Sequence, residues 1–377
     1  MRTEELRATR EFRLLRTGRF LIAELLAPHR VLSTSSQQGG ESESLRYLVN
    51  QQSCEGAGHR EREAYITGMG LDRYHEAVCR EIGLDAQLVA SMGTAANMNY
   101  AAIREERDGD VCVTAVVTAG VQGNAACAGD AAGWRETESG WDKIPPAGGT
   151  INTMLFISHP LTRGALARAA VTMTEAKSAA LTRLAIRSRY SKDPATGTGT
   201  DQYAIAAPLT RNVGKPLTST SPHVKLGESI GVAVRDATSE ALRWQNGLEP
   251  SYTRGLFHAL GAYGLTEATF FEDIAPHLSP TDLELLQKNA KSVFYEPLAA
   301  AAAYAVASIL DRVRYGTLPT ATASEALRQQ AALLAANLAA RPDCWPDFLA
   351  RLTDADPEQP ARLVLRAIAL GWSSKWT

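Results

Sequence analysis

The chain has 377 residues and a formal net charge of -2, with 21% charged residues, so it offers no field that would draw in nucleic acid or an anionic membrane surface. Its apolar runs, including Pro297 to Leu310, break well short of the ~18 residues a membrane-crossing helix needs. Cys54, Cys79, Cys112, Cys127 and Cys344 are an odd set with no C-x-x-C pair, which argues against a disulfide framework and a cysteine zinc site, and for a reducing cytoplasm.

In chain order, Arg2 to Arg19 mixes arginines with Glu4, Glu5 and Glu11 and reads as a charged amphipathic helix whose sparse apolar set is Leu6, Leu14 and Leu15. It lacks the apolar stretch and small-residue cleavage site of a signal peptide. Phe20 to Leu26 and Arg30 to Ser33 read as a strand pair joined at Ala27-Pro28-His29. Leu71 to Ile82 has helical spacing, and Thr94 to Arg104 is expected to be helical too. Val111 to Val117, Thr150 to Ile157, Ala165 to Met173 and Tyr203 to Ala207 supply strands. Helices alternate with some of these strands and not with others, which predicts an α+β domain with a mixed sheet rather than a doubly wound parallel one.

Two stretches decide where candidate residues fall. If Thr174 caps a helix after a strand, Glu175 and Lys177 share its first turn; were Ala165 to Leu184 all helix, they would stand ~200° apart and could not line one pocket. The β-leaning Val171-Thr172-Met173-Thr174 favours the first arrangement. Ser221-Pro222 predicts a helix start with Ser as N-cap and Pro at the first position, and Leu226, Ile230, Ala233, Ala237 and Ala241 mark its apolar face. His223 would then lie in the first turn, beside free amides and partial positive charge, or be a surface residue near a helix start.

From Asn246 strands disappear and alanine-rich helical periods take over, at Pro297 to Arg314, Ser324 to Ala340 and Pro360 to Gly371. Thr322 with Glu325 reads as a capping box, and Gly316 to Pro319 and Arg341 to Pro346 as turns. The expected division is residues 1–245 and an all-α region, 246–377. No low-complexity linker separates them, so the extension is expected to pack on the first domain, as a dimerisation element, a lid or an added binding surface.

The segment Ala195-Thr196-Gly197-Thr198-Gly199-Thr200-Asp201 cannot form a core. It is a loop of hydroxyls and exposed amides that sets Asp201 at the mouth of a strand, either as a turn cap or at a frequent ligand and catalytic position. It keeps company with Thr118-Ala119-Gly120-Val121-Gln122-Gly123-Asn124, Gly148-Gly149-Thr150-Ile151-Asn152, Thr172-Met173-Thr174-Glu175-Ala176-Lys177 and His223-Val224-Lys225-Leu226-Gly227-Glu228. Taken in order, these blocks resemble the CbiZ family of adenosylcobinamide amidohydrolases, with its T-A-G-V-x-N, G-T-I-N, T-E-A-K, A-T-G-T-G-T-D and H-T-K-L-G-E pattern. The likeness runs from about Gly18 to Leu242 and takes in Val31-Leu32-Ser33-Thr34 and Gly39-Gly40.

The resemblance implies hydrolysis of the amide joining a corrin propionate arm to aminopropanol, a corrinoid salvage reaction giving adenosylcobyric acid and 1-amino-2-propanol. The substrate carries its own cobalt, so no protein-bound cofactor is implied. No H-E-x-x-H spacing points to a catalytic metal, and no G-x-S-x-G points to a hydrolase elbow. Glu175 or Asp201 would deprotonate water, His223 would act as base or as acid for the amine, and Lys177 or Lys225 would steady the oxyanion. Asn124, Asn152, Thr196, Gly197, Thr198, Gly199, Thr200, Lys225 and Glu228 are the expected substrate contacts, with a threonine of the loop as the alternative nucleophile. The expected partner is a small corrinoid, with self-association through the C-terminal helices. Ser221-Pro222 stands where the pattern has Gly-Lys, Val224 where it has Thr, and Gln202 where it has a small residue. These departures keep open a different amide substrate, or corrinoid binding without turnover.

Overall fold

The computed structural model describes residues 3–55, 59–138, 140–143, 150–209, 215–353 and 355–376; Gly148 and Gly149 lie outside them. It divides into two units, residues 1–248 and 249–377. The first begins with β1 (Thr3–Ala8), β2 (Phe12–Thr17), β3 (Phe20–Leu25), β4 (His29–Ser33), β5 (Gly40–Ser42) and β6 (Tyr47–Gln52), then α1 (His59–Met69) and α2 (Leu71–Glu81). It continues with β7 (Val89–Thr94), β8 (Ala102–Asp108), β9 (Val111–Ala119), β10 (Ala125–Ala126), β11 (Trp134–Thr137), β12 (Gly140–Lys143) and β13 (Ile151–Ile157). It closes with α3 (Arg163–Arg183), β14 (Gly197–Thr198), β15 (Gln202–Pro208) and α4 (Lys225–Asn246).

Two mixed sheets, β1-β2-β3-β6-β7 and β5-β4-β15-β13-β9-β8, stack face to face. Successive strand residues point to opposite faces, so one strand can feed two cores. Thus Phe156 of β13 joins Phe12, Leu14, Met92 and Val116 between the sheets, its ring stacked on Phe12 at 3.9 Å, while Leu155 joins Val117, Ile205, Met173 and Ile230 beneath α3 and α4. On the far face of the first sheet, Phe20, Ile22, Val49 and Val89 pack against Val78 and Cys79 of α2. The result is a layered α/β/β/α sandwich. With both faces covered, β9 and β13 read as near-continuous apolar runs.

Several expectations are corrected. The N-terminal segment is a hairpin, β1–β2, because its charges pair across strands (Arg16 with Glu4 at 2.6 Å, Arg13 with Glu24 of β3 at 2.7 Å) while Phe12 and Leu14 point inward. The Phe20 and Arg30 segments are strands, but β3 and β4 belong to different sheets. Thr94 to Arg104 is a single turn at Met98–Tyr100, with Asn97 accepting from the Asn99 amide, followed by β8. Ala165 to Met173 is helix, for α3 is capped far upstream by Thr162, which accepts from the Ala165 amide. Its helix-forming alanines outweigh the short β-leaning run.

The second unit contains α5 (Pro250–Thr253), α6 (Leu256–Leu260), α7 (Phe270–Ile274), α8 (Pro280–Lys288), α9 (Ala290–Phe294), α10 (Pro297–Arg314), α11 (Thr320–Ala339), α12 (Trp345–Arg351) and α13 (Pro360–Ser373). One apolar core joins them, from Leu256 to Trp372. Small residues set its helix spacing: a Cβ on Gly371 would come within 2.4 Å of the Ala335 carbonyl oxygen. The expected capping box does not form, since α11 starts at Thr320 behind Pro319 and places both Thr322 and Glu325 inside the helix. The expected turn at Arg341 to Pro346 ends at Cys344, where α12 takes over. Among the described residues, no helix is long and apolar enough to cross a membrane.

Candidate functional site

The carboxyl ends of β4, β6, β7 and β9 and the amino ends of β13 and β15 meet at one end of the sandwich. Gln52 stands opposite Thr94, Ile151 opposite Ala119, Asn152 opposite Gln202, and Ser33 opposite Ala204. Buried amides tie the two sheets together there. Asn50 Nδ2 donates to Thr118 Oγ1 at 2.8 Å, Asn152 Nδ2 donates to Asn50 Oδ1 at 2.9 Å and to the Gly93 carbonyl at 3.1 Å, and the Gly93 amide donates to Gln202 Oε1 at 3.0 Å. Asn152, fully buried, therefore braces the sheets and has no face open to a ligand.

The threonine–glycine loop is built around Asp201. Its Oδ1 accepts from the Ile151 amide at 3.0 Å and from Thr198 Oγ1, and its Oδ2 accepts from the Thr198 amide at 3.0 Å and from Lys177 Nζ at 2.5 Å. Four donors occupy both oxygens, leaving no open position from which to deprotonate water. Both glycines allow close approach. A Cβ on Gly197 would come within 2.3 Å of Asp201 Oδ2 and 2.7 Å of Lys177 Nζ, and one on Gly199 within 3.2 Å of Asn124 Oδ1. Asn124, itself buried, accepts from the Tyr190 hydroxyl. Thr196 accepts from the Ala128 amide at 2.9 Å, and its carbonyl accepts from Ser178 of α3 at 2.8 Å. Nearby, burial pushes Asp130 up, but bonds from Ser188, Ser191 and the Cys127 amide outweigh it and hold the carboxyl below the usual range.

Because α3 is continuous, Glu175 points to solvent on the side away from Lys177. The two share no pocket.

Asp201 and Gln202 face opposite sides of the second sheet, as neighbours in an extended chain must. On the Gln202 side lies a cleft of about 340 Å³, with Thr150 and Thr200 of the loops, Ser91 of β7, Gln51 of β6 and His75 of α2 set against an apolar wall that includes Ile66 and Leu71. Thr150 Oγ1 donates to the Thr200 carbonyl at 3.1 Å, which closes one wall.

His223, Lys225 and Glu228 lie elsewhere. α4 runs antiparallel to β8, with Glu240 on Arg104 at 2.9 Å, and its last residues reach the loops described above: Gln245 accepts from the Asn97 amide at 3.0 Å and Asn246 from the Val121 amide at 3.1 Å. Its start is therefore at the opposite end, one helix length away, about 33 Å for 22 residues. Ser221 and Pro222 form a turn before the helix rather than its cap, the Ser221 carbonyl accepting from the Val224 amide at 2.9 Å. His223 is exposed there, and Lys225 pairs with Glu228 at 2.8 Å in solvent. Two of the departures from the family pattern, Ser221-Pro222 and Val224, thus lie away from the cleft; Gln202 lines it.

Sequence reasoning did not find Gln51, His75, Ser91, Gln245 or Asn246. A signal existed for β7, where Val89, Ala90 and Met92 precede the turn formers Asn97 and Asn99, but nothing local says that His75 of a surface helix faces that strand. Among the described residues, no group of three His, Cys, Asp or Glu could hold a metal ion.

Residues 3–250 match the CbiZ family, adenosylcobinamide amidohydrolase. An uncharacterized protein of Methanocaldococcus jannaschii is 36% identical over 178 residues, 45% of this chain and 68% of that protein. The crystal structure of the PH0078 protein from Pyrococcus horikoshii aligns with 59% of this chain and 77% of its own, at 15% identity and a TM-score of 0.28.

Proposed function

The chain belongs to the adenosylcobinamide amidohydrolase family, and from that premise we propose that it hydrolyses the aminopropanol amide of adenosylcobinamide, giving adenosylcobyric acid and 1-amino-2-propanol. The observation that carries this reading is the meeting of the G-T-I-N and A-T-G-T-G-T-D segments, through Thr150 and Thr200, at a single cleft. A corrin ring is far too wide for about 340 Å³, whereas one amide-bearing arm fits, so the ring would rest outside while the arm enters. Thr150, Thr200 and Gln202 supply hydroxyl and amide partners along the cleft, and the Lys177–Asp201 pair positions the loop that carries Thr200. The cobalt belongs to the substrate and needs no ligand from the protein. The reaction is a salvage step, and we place it in the cytoplasm, where thiols such as those of Cys79 and Cys112 stay reduced.

The test is to incubate the purified protein with adenosylcobinamide and quantify both products. Stoichiometric release of 1-amino-2-propanol is expected. A visible-region titration that shows corrinoid binding without release would overturn hydrolysis and leave a binding protein.

A further inference from the structure

Within the cleft, Ser91 Oγ lies 2.9 Å from His75 Nδ1, and the other ring nitrogen, Nε2, lies 3.0 Å from the Ala86 carbonyl oxygen. A carbonyl only accepts, so Nε2 carries the proton of the neutral ring and Nδ1 presents its lone pair to the serine hydroxyl. This is the geometry of an activated nucleophile: hydroxyl and base within hydrogen-bond reach, and the base oriented by a third group. His75 is buried, which fixes the ring; Ser91 is half-buried on β7, and both side chains wall the cleft. The Ser91 backbone is itself held by a bond from its amide to Ser35 Oγ at 3.0 Å. We propose that Ser91 is the nucleophile and His75 the general base and acid of the hydrolysis, an inference that rests on the amide-cleaving reading above.

In the first step Ser91 Oγ bonds to the amide carbonyl carbon as its proton passes to His75 Nδ1. The electron pair driven onto the carbonyl oxygen then returns, the C–N bond breaks, and the Nδ1 proton moves to the departing nitrogen. The amino alcohol leaves and the acid remains esterified to Ser91. Water adds to the ester carbon with transfer of a proton to Nδ1, the C–Oγ bond breaks, Oγ recovers that proton, and the carboxylic acid is released. Gln202, with Oε1 tied to the Gly93 amide, has its Nε2 left as a donor for the oxyanion. Cys79, 3.8 Å from His75 Nε2, is no rival, because burial, with the nearby Asp85 charge, pushes its thiol up to about 11 and keeps it protonated at neutral pH.

Two measurements test the pair on the full chain. With adenosylcobinamide, Ser91→Ala and His75→Gln are each expected to lower kcat by ~100-fold or more, with corrinoid binding within twofold of wild type and far-UV circular dichroism unchanged. Independently of the substrate, a fluorophosphonate probe is expected to phosphonylate Ser91, with loss of fluoride and a mass increase on the peptide containing it, and to leave His75→Gln unlabelled. Labelling of Ser91 in a protein that leaves adenosylcobinamide intact would uphold the pair and sink the substrate reading. Release of aminopropanol by Ser91→Ala within threefold of wild type, with Ser91 of the wild-type protein unlabelled by the probe, would overturn the pair and spare that reading.

Discussion

Gly197 and Gly227 make the two ends of the first unit comparable, since each stands where an added Cβ would strike a neighbour. At Gly197 the neighbours are the charged groups of Asp201 and Lys177, at 2.3 and 2.7 Å; at Gly227 they are the Ser221 and Thr220 carbonyl oxygens, at 2.0 and 2.6 Å. Both glycines belong to motifs that resemble the same family, yet one packs against a charge pair beside a cleft and the other lets a loop cross a helix. A recurrent motif therefore marks a constraint, and only its neighbours show whether the constraint is chemical.

The largest effects should break this symmetry. Gly197→Ala pushes the loop off Lys177 and Asp201, and turnover of adenosylcobinamide is expected to fall by ~100-fold or more, the scale of a small misplacement at a reacting centre. Gly227→Ala should instead destabilise the fold, on the order of 3 kcal/mol by overpacking against backbone, with turnover per folded molecule unchanged. Paired thermal melts and product assays separate the two; equal losses of turnover would erase the distinction between the ends.

Asp201→Asn sharpens the role of the charge. As a positioning group whose oxygens are already filled, Asp201 should lose about 10-fold on this change, against the ~100-fold or more expected of a general base. Glu175→Gln, on the solvent face of α3, should change nothing measurable. A fall of 1,000-fold in the Asp201 variant would restore it as the proton acceptor.

A smaller effect is expected from pH at the far end. His29, buried there at the start of β4, is held below its ordinary value of 6.5 by burial first and by the Arg46 charge, against the opposing Ala27 carbonyl bond and the Glu11 charge. The folded chain therefore takes up a proton on this ring only at a lower pH than the unfolded chain, whose ring titrates near the ordinary value. Stability is thus full above that value and declines as pH falls below it. Between pH 7.5 and 5.5 the melting midpoint of wild type should drop more than that of His29→Gln. Parallel slopes would assign the acid sensitivity to another group.

The smallest effect belongs to His223. Exposed before α4 and a helix length from the cleft, His223→Ala should leave turnover within twofold and stability within about 0.5 kcal/mol. A loss of 10-fold or more would mean that the far end reaches the substrate after all.

Much of the fold was readable from local pattern. Apolar runs predicted β9, β13 and β15 to within a residue or two, and helical spacing predicted α2, α10 and α13. The N-terminal hairpin was not readable as strands, because alternating Arg and Glu suit a solvated helix as well as a two-stranded ribbon, and only cross-strand partners such as Glu4–Arg16 decide between them. Missing β6 and β7 meant missing the first sheet, and with it the strand that carries Ser91.

By itself, the sequence determined the family pattern and the change from mixed β structure to helices from about Asn246; the threonine–glycine segment it marked as an exposed loop instead buries Ala195 and Gly197 and pairs as β14. The pattern and the change are properties of composition and of periods of two or 3.6 residues, which short-range sterics enforce. Tertiary structure alone decided which motifs share an end of the sandwich. That depends on the direction each element runs and on the sheet each strand joins, both set by contacts between residues far apart in the chain. So Lys177 came to Asp201, His75 came to Ser91, and the length of α4 carried His223 away from both.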